Sequence, residues 1–313
     1  MTVQATTAAA GGRPDWVRLM PGVFVLLWST GFIGAKYGLP YAEPLTFLLV
    51  RLGLVAVILG VVALVTGAPW PKSWAEAGRI ALAGLLVHGV YLTGVFCAIA
   101  KGMPAGVTAL IVGIQPLLTA ALSGPLLGER VTGRQWVGFL MGLAGVGLVV
   151  GEKLHFDSTD ALGIGLALAA LLGITFGTLY QKRHGTAMDL RSGAAIQYAA
   201  TAVVLAVLAP LFETMRIDWT GEFVFALLWL SFVLSVGAIF LLFVLIRRGA
   251  AARVASLFYL VPPVTAVIAW AMFGERLGLL ALSGMALAVA GVALVNRSAV
   301  NRSPANRGAK RGA

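Results

Sequence analysis

Long apolar segments separated by short, charged connections run through almost the whole chain, and they restrict it to a membrane-embedded helical fold. About 20 mainly apolar residues cross roughly 30 Å of hydrocarbon. Because lipid offers the backbone no hydrogen-bond partner, such a segment must be an α-helix. The sequence therefore predicts an all-α integral membrane protein with ten transmembrane helices. The predicted spans run approximately over residues 22–39, 44–66, 79–100, 104–127, 135–151, 161–181, 192–212, 223–246, 254–273 and 277–296.

Composition excludes the main alternatives to a membrane protein. Hydrophobic residues make up 59% of the chain and charged residues 11%, against ~45–50% and ~25% in soluble domains. This balance excludes a cytosolic enzyme. It also excludes intrinsic disorder, which requires low hydrophobicity and high charge. A disulfide framework is excluded as well, because Cys97 is the only cysteine of the chain.

The positions of Lys and Arg residues indicate the orientation of the chain. It carries 23 Lys+Arg and 12 Asp+Glu, a net charge of +11, which in a soluble domain would favour nucleic acid. With the N-terminus in the cytoplasm, most of these cations fall in cytoplasmic connections, as the positive-inside rule requires. We therefore predict a multi-pass protein of a bacterial-type cytoplasmic (inner) membrane, with both termini in the cytoplasm and no nucleic-acid partner.

An internal repeat divides the chain into two halves of opposite orientation. The repeated unit contains five predicted spans, so the second copy enters the membrane from the opposite face. Many secondary transporters use such inverted repeats to reach two access states around one midplane site. The repeat therefore predicts a transporter, although a duplicated scaffold without a transport role would show the same pattern. An ungapped shift of 146 residues aligns Pro116 with Pro262, Thr119 with Thr265 and Gly128-Glu129-Arg130 with Gly274-Glu275-Arg276.

A family resemblance follows from the first two spans and the repeated motif. The stretch LLWSTGF occupies residues 26–32, and Lys36, Pro44 and Arg51 follow it. Together with the two Pro…Gly-Glu-Arg…Gly segments, this pattern resembles the EamA type of the drug/metabolite transporter superfamily over about residues 20–297. The resemblance implies ten helices, cytoplasmic termini and export of amino acids or related metabolites. It also implies a central cavity lined mainly by helices 1, 3, 4, 6, 8 and 9, with helices 5 and 10 at the periphery.

The repeat and the resemblance together define the organisation that we expect. Residues 1–20 form a cytoplasmic N-terminal tail, and residues 21–152 form the first EamA-like repeat, with helices 1–5. Residues 160–297 form the second repeat, with helices 6–10, and residues 298–313 form a basic cytoplasmic C-terminal tail. Nearly all of the chain therefore lies in the two membrane repeats.

Two cations lie within predicted spans, Lys36 in helix 1 and Arg51 in helix 2. Such residues are functional candidates because a charge inside a membrane is costly. Lys36 is about one turn from the outer end of its helix, so it either snorkels to the interface or attracts an anionic substrate. Arg51 has the same functional alternative, or it bonds to helix-end carbonyls or to Glu43. We expect Arg51 to be structural, since the resemblance does not place helix 2 at the cavity.

Acidic residues are confined to loops, tails and helix ends. The predicted spans therefore contain no central carboxylate to hold Na⁺ or to relay a proton, which favours an anionic or zwitterionic solute over a cation. His88 in helix 3 is the one group near a helix middle that titrates around neutral pH. It is a candidate cavity residue, and packing is its alternative role.

Pro116 and Pro262 lie at equivalent positions in the middle of predicted helices 4 and 9. Proline removes a helical hydrogen bond and bends the helix, and broken helices at a repeat interface expose backbone to substrate. We therefore expect helices 4 and 9 to line or gate the cavity. The polar and aromatic residues at similar depth are candidate contacts, each with core packing as its alternative: Gln115, Thr119, Tyr259, Thr265, Trp28, Phe32, Tyr91 and Tyr180.

The two Gly-Glu-Arg motifs are predicted to be structural. They lie at opposite membrane faces, where the glycine ends helix 4 or helix 9. The neighbouring charges, Glu129 and Arg130 in the first copy and Glu275 and Arg276 in the second, are expected to cap or pair locally. We therefore do not expect them to bind substrate.

Small residues form one face of helix 5 and one face of helix 10. Such faces allow two helices to approach closely. They are expected to pack either within the chain or in a homodimer. The residues are Gly138, Gly142 and Gly145 in helix 5, and Gly284, Ala288 and Gly291 in helix 10.

Two other functions are alternatives to a transporter. The H-x4-D spacing of His184 and Asp189 is similar to that of acyltransferases, which would make the chain a membrane enzyme. No H-E-x-x-H, paired-aspartate or G-x-S-x-G pattern accompanies it, so we expect no enzymatic activity, no cofactor and no metal. A passive channel is the second alternative. The sequence as a whole predicts an exporter of a small amino-acid-like or carboxylate metabolite by alternating access, with that solute and the lipid bilayer as its partners.

Overall fold

The computed structural model describes residues 15–127, 132–153, 158–184, 188–238, 241, 245 and 257–300. These ranges consist of helices and short connections, with one isolated bridge between Ala42 and Ile217. Seven helices in this part of the chain are long and apolar enough to cross a membrane, and three other apolar helices are shorter. The protein is thus an all-helical, multi-pass membrane protein, and the count of ten spans stays a prediction.

The α-helices begin and end close to the predicted spans. The first half contains α1 (Asp15–Gly38), α2 (Pro44–Val65), α3 (Trp74–Gly84), α4 (Tyr91–Ala100), α5 (Ala105–Gly113), α6 (Gln115–Leu127) and α7 (Gly133–Lys153). The second half contains α8 (Ser158–His184), α9 (Leu190–Phe212), α10 (Gly221–Leu228), α11 (Val261–Phe273) and α12 (Leu279–Val300). Short 3-10 turns occupy Leu39–Tyr41 and Phe258–Leu260.

Two π-helical segments interrupt predicted spans that the sequence treats as regular helices. The first π segment (Leu85–Val90) joins α3 to α4, and the second π segment (Trp229–Ala238) follows α10. A π-helix is rare and leaves part of the backbone ladder out of register, which is why it is often found at functional sites. Predicted helices 3 and 8 are therefore irregular near their middles.

The two mid-span prolines lie in the first turns of α-helices, which corrects their predicted mid-helix positions. Ile114 separates α5 from α6, and Pro116 is the second residue of α6. Pro262 is the second residue of α11, directly after the 3-10 turn at Phe258–Leu260. The first turn tolerates proline because the missing N–H would have no intrahelical partner there. Proline thus starts a helical segment at both positions.

Helices from the two halves of the chain pack against each other. The helix α7 runs along α12, α2 runs along α9, and α5 packs on α11. In addition, α4 packs on α8, while α1 contacts α11, α10 and the second π segment. The described helices therefore form one interleaved bundle.

Glycines allow the closest of these approaches. A Cβ on Gly145 of α7 would meet the Ala288 nitrogen of α12 at 2.8 Å, and a Cβ on Gly291 would meet the Gly142 nitrogen at 3.0 Å. The small faces of α7 and α12 therefore pack on each other within one chain. Of the two predicted uses of these faces, the structure shows the intramolecular one.

Candidate substrate cavity

A cavity of about 220 Å³ lies inside the bundle. Its wall comes from α1, α2, α4, α8, α9 and both π segments. Apolar side chains form most of the wall, and a few polar groups interrupt it. The lining residues are Trp28, Gly31, Phe32, Arg51, Val87, His88, Tyr91, Leu92, Val95, Phe96, Ile174, Thr178, Gln181, Tyr198, Leu234 and Ser235.

Four of the predicted contacts lie in this wall: Trp28, Phe32, His88 and Tyr91. The Trp28 ring packs edge-to-face on Phe258, with 4.9 Å between ring centroids. The His88 ring stacks on Tyr198 at 4.1 Å. These ring contacts limit the motion of two side chains that face the cavity.

The other predicted contacts have different positions. The Gln115 amide donates to Thr119 Oγ1 at 3.1 Å and to Thr178 Oγ1 at 3.4 Å. Thr178 lines the cavity, whereas Gln115 and Thr119 do not. Gln115 therefore lies directly behind Thr178, and Thr119 contacts Gln115 there. Thr265 is fully buried, and its hydroxyl has no hydrogen-bond partner among the described residues. The Tyr259 side chain lies outside the described residues.

Tyr180 lines a second, smaller pocket instead of the main cavity. Its ring centroid is 4.4 Å from that of His184. Arg79 and Gln181 line the same pocket, and Gln181 also lines the main cavity. Polar residues therefore lead from the main cavity toward the face of the bundle at which α3 begins, which we call the Arg79 face.

Predicted helices 4 and 9 were expected to line the cavity, but their described residues do not. No residue of α5, α6 or α11 lines the cavity. The helices α5 and α11 contact each other instead: a Cβ on Gly113 would meet the Pro262 ring at 2.7 Å, and a Cβ on Gly106 would meet Ala266 at 3.1 Å. Pro262 therefore belongs to a helix contact behind the wall, while Pro116 begins α6, which packs on α7 and α8.

Arg51 lies in the cavity wall, so the structure corrects the expectation that helix 2 stays away from the cavity. Its side chain is buried, and its Nη2 donates to the Leu230 carbonyl at 3.3 Å and to Ser235 Oγ at 3.4 Å. Its Cζ is 5.9 Å from the centroid of the Phe96 ring. Its Nε has no hydrogen-bond partner in the described part of the chain. The carbonyl that it contacts, that of Leu230, lies inside the second π segment and not at a helix end, where the sequence predicted the bond.

Lys36 is paired with an acidic residue of the opposite half. Its Nζ forms an ion pair with the Glu275 carboxylate and lies 4.9 Å from the centroid of the Phe273 ring. The Glu275 side chain is only 9% exposed and also accepts the backbone N–H of Ala105, at 3.0 Å. The prediction that Glu275 pairs locally is therefore wrong. Its partner comes from α1, and Lys36 does not line the described cavity.

The remaining residues of the Gly-Glu-Arg motifs are mostly at the surface or undescribed. Gly274 has a positive φ of 66° and ends α11, which confirms the predicted helix end. Arg276 is exposed. Glu129 and Arg130 lie outside the described residues.

Loop carboxylates tie α2 to α9 at the end of the bundle that contains Lys36, which we call the Lys36 face. The Glu213 carboxylate accepts the N–H groups of Leu45 and Thr46 at 2.7 Å each, so it caps the start of α2. Glu43 in turn accepts the Thr214 N–H at 2.8 Å, just beyond the end of α9. Glu43 is therefore engaged here and does not pair with Arg51.

The His184 and Asp189 side chains do not form a catalytic pair. Asp189 caps α9 by accepting the Arg191 N–H at 2.9 Å, and its second oxygen accepts Arg191 Nη2 at 3.0 Å. These bonds hold the pKa of Asp189 below its usual value. The His184 Nδ1 lies 3.2 Å from the Tyr180 carbonyl oxygen. The partner of Asp189 in the described structure is thus Arg191 and not His184.

Several lining residues were not predicted: Thr178, Gln181, Tyr198 and Ser235. They are polar residues of predicted helices 6, 7 and 8, and Ser235 is the one near the middle of its span. A buried cation such as Arg51 requires polar neighbours, so a search for polar residues at matching depth would have found Ser235. Thr178 and Gln181 lie at the end of predicted helix 6, where depth gives no such signal. Both π segments reach the cavity, the first through His88 and the second through Ser235.

Membrane-length helices around an internal cavity of metabolite size are typical of a membrane transport protein. The sequence model of the EamA-like transporter family matches residues 21–151 and 161–297. The chain belongs to this family.

Similar proteins agree with this assignment. The chain is 29% identical to the uncharacterized transporter YvbV of Bacillus subtilis, over 88% of this chain and 89% of the relative. It is 28% identical to a probable amino-acid metabolite efflux pump of Escherichia coli, over 86% and 90%. It is 29% identical to a probable terminal-alkyne amino-acid exporter of Streptantibioticus cattleyicolor, over 86% and 89%. A solved crystal structure with 21% identity matches 93% of this chain and all of its own, with a TM-score of 0.64, so the fold is shared.

Proposed function

We propose that this protein is a secondary transporter that exports a small amino-acid-like or carboxylate metabolite by alternating access. The observation that carries the proposal is the cavity of about 220 Å³ inside the bundle of an EamA-like family member. Drug-sized sites occupy about 300–1,000 Å³, so this cavity fits a smaller solute. The names of the relatives from Escherichia coli and Streptantibioticus cattleyicolor favour amino-acid derivatives that leave the cell.

An inverted repeat of five helices supports alternating access. The shift of 146 residues that aligns Pro116 with Pro262 also aligns the ends of α1 and α8, at Gly38 and His184. It places the first π segment within the range of the second. Helix contacts follow the same pattern, because α2 packs on its equivalent α9, and α7 on its equivalent α12. Equivalent helix starts are Pro44 and Leu190, Gln115 and Val261, and Gly133 and Leu279.

The contacts at the Lys36 face support a state that is closed there. There, Lys36 and Glu275 join α1 to the connection after α11, and Glu213 joins α2 to the end of α9. The positive-inside rule assigns this face to the outside of the cell and the Arg79 face to the cytoplasm. An exporter in this state would receive solute from the cytoplasm. Opening to the outside then requires separation of Lys36 from Glu275.

Transport by purified protein in liposomes tests the proposal. Vesicles preloaded with one unlabelled amino acid or carboxylate are given labelled solutes from the same panel, with and without an imposed pH gradient. A carrier takes up the label in a saturable manner, and internal solute accelerates that uptake. Protein-free vesicles are the matched control. Flux that does not saturate would instead establish a channel.

His184→Ala separates transport from the enzyme alternative. We expect the variant to retain saturable exchange, because His184 lies in the small pocket and Asp189 pairs with Arg191. The readouts are label uptake and chemical analysis of the recovered solute. Conversion of the solute by the wild type, abolished in His184→Ala, would contradict the proposed function.

The topology can be tested independently of any substrate. The proposed arrangement places the N-terminal and C-terminal tails on the cytoplasmic side, because each repeat crosses the membrane five times. A cysteine introduced into either tail of a Cys97→Ser variant should react with an impermeant maleimide only in inverted vesicles. Reaction of the two tails on opposite sides would overturn the inverted repeat.

A further inference from the structure

Arg51 is a buried cation without a counter-ion in the described part of the protein. Its side chain is 4% exposed, and none of the described carboxylates pairs with it. Its two bonds, at 3.3 and 3.4 Å, both use Nη2 and are longer than the usual 2.7–3.2 Å. A guanidinium has five donors, and the Nε donor has no described partner. The described contacts therefore leave most of the binding capacity of Arg51 unused.

The position of Arg51 identifies what can use that capacity. Arg51 is one of the residues that line the cavity, and its guanidinium contacts two other lining residues, Ser235 and Phe96, so a ligand in the cavity lies next to it. The charge is permanent under any physiological condition, and an unpaired buried charge is costly unless an anion compensates for it. The planar fork of nitrogens matches the two oxygens of a carboxylate. A carboxylate of a solute in the cavity has the charge and the shape that Arg51 requires.

The other lining residues indicate which chemical groups the solute carries besides its carboxylate. Aromatic and aliphatic side chains surround the space next to Arg51, among them Phe32, Leu92 and Phe96. None of the described lining residues is acidic, so the cavity offers an ammonium group no counter-ion. A carboxylate and an apolar body therefore contribute more to the affinity of a solute for this cavity than an amino group does.

We propose that Arg51 is the anion anchor of the cavity and that the cavity binds a small apolar monocarboxylate, for which an α-amino group is dispensable. This inference rests on the transport function proposed above and specifies its substrate class. Arg51 touches the solute, while Ser235 and the Leu230 carbonyl of the second π segment orient the guanidinium. Amino acids then bind through their carboxylate, and their deaminated analogues bind as well.

Three probes of one shape test the proposal on purified wild-type protein. They are 4-methylpentanoate, its uncharged amide 4-methylpentanamide, and leucine, with affinity measured by calorimetry in lipid nanodiscs. A hydrogen bond to a charged group is worth roughly 10- to 100-fold in affinity. We therefore expect the carboxylate to bind about 10- to 100-fold more tightly than the amide. We expect leucine to bind no more tightly than 4-methylpentanoate.

Variants assign the preference to Arg51. Arg51→Gln should reduce the affinity ratio of carboxylate to amide to about one, by weakening the carboxylate only. Arg51→Lys should keep part of the ratio, since it keeps the charge and loses the fork. Lys36→Gln is the matched control: it removes a cation outside the cavity and should leave the ratio unchanged. Far-ultraviolet circular dichroism and thermal unfolding confirm that each variant is folded.

Each outcome has a definite meaning. Equal binding of the amide and the carboxylate by the wild type would overturn the inference, as would failure of the carboxylate to bind. An Arg51→Gln variant that weakens all three probes equally would also overturn it. If Arg51→Gln does not fold, the affinities of the wild type for the three probes and the carboxylate-to-amide ratio of Arg51→Lys still test the inference. Failure of the transport proposal looks different: the carboxylate binds, but labelled carboxylate shows no accelerated exchange in liposomes.

Discussion

Lys36 and Arg51, the two cations that the sequence places well inside predicted spans, have opposite surroundings. Lys36 lies near the end of α1, pairs with Glu275 and does not line the cavity. Arg51 lies in the cavity wall, and no described carboxylate pairs with it. Their residue types and their placement in apolar spans are alike in the sequence. The half-buried Lys36 has a counter-ion from the fold and holds helices together, whereas the buried Arg51 has none among the described residues and is available to a ligand.

Lys36 and Arg51 therefore have different tasks, which the sequence alone does not distinguish. The Glu275 carboxylate binds both Lys36 and the Ala105 N–H at the start of α5, so it joins three parts of the bundle at the Lys36 face. Loss of this contact should change which face is open. Loss of Arg51 should change which solute binds.

Glu275→Gln should favour opening of the Lys36 face. The variant removes the charge that holds Lys36 but keeps a group that can accept the Ala105 N–H. Loss of a charged hydrogen bond shifts a two-state equilibrium by about tenfold or more. The readout is the maleimide reaction of Val95→Cys, a buried lining position, in a Cys97→Ser background, from the Lys36 side.

The control for this experiment is the affinity ratio of 4-methylpentanoate to its amide. Glu275→Gln should leave that ratio unchanged, because Arg51 and its neighbours are intact. An unchanged rate of cysteine modification together with an altered ratio would reverse the roles assigned to the two cations.

Glu213→Gln should have a smaller effect, on stability. The Glu213 carboxylate accepts two backbone N–H groups at the start of α2 and the Thr46 hydroxyl. Removal of a helix cap costs about 1 kcal/mol, so the free energy of unfolding should fall by about that amount. Thermal unfolding in detergent measures the change. Asp218→Asn, at an exposed position on the same face, should leave the unfolding temperature unchanged.

Asp189→Asn should have the smallest effect, and that effect should depend on pH. Arg191 lowers the pKa of Asp189 in the folded state, so the ionised carboxylate favours folding. This contribution is present above the unfolded pKa near 3.8 and is lost as the pH falls through the lower folded pKa. The unfolding temperatures of wild type and variant should differ at neutral pH and converge in acid. A constant difference across this range would show that Asp189 acts by a route other than its charge.

Residue patterns predicted the helices because the signals involved are local. Apolar length placed the spans, and each described helix begins or ends within several residues of its prediction. A proline at position 116 predicted a bend in the middle of helix 4 because it lacks the N–H that a continuous helix needs, and the structure instead begins α6 at this point. The cavity residues Trp28, Phe32, His88 and Tyr91 were predicted from their depth in helices 1 and 3.

The missed features depend on contacts between distant residues. No residue type marks a π segment, so the segments that carry His88 and Ser235 were predicted as regular helix. Neither could the pairing of Lys36 with Glu275 be predicted, because 239 residues separate them. Arg51 was expected to be structural, and only the packing of α2 beside α4 and the second π segment brings it into the wall.

The order of residues alone identified a membrane protein and the approximate positions of its helices, and it predicted a duplication with a shift of 146 residues. These properties depend on hydrophobic length and on local backbone chemistry, which a linear chain already contains. The pairing of Lys36 with Glu275 and the position of Arg51 in a cavity wall came from the three-dimensional arrangement. The reason is electrostatic: the role of a buried charge depends on which groups lie within a few ångströms of it, and folding alone brings those groups together.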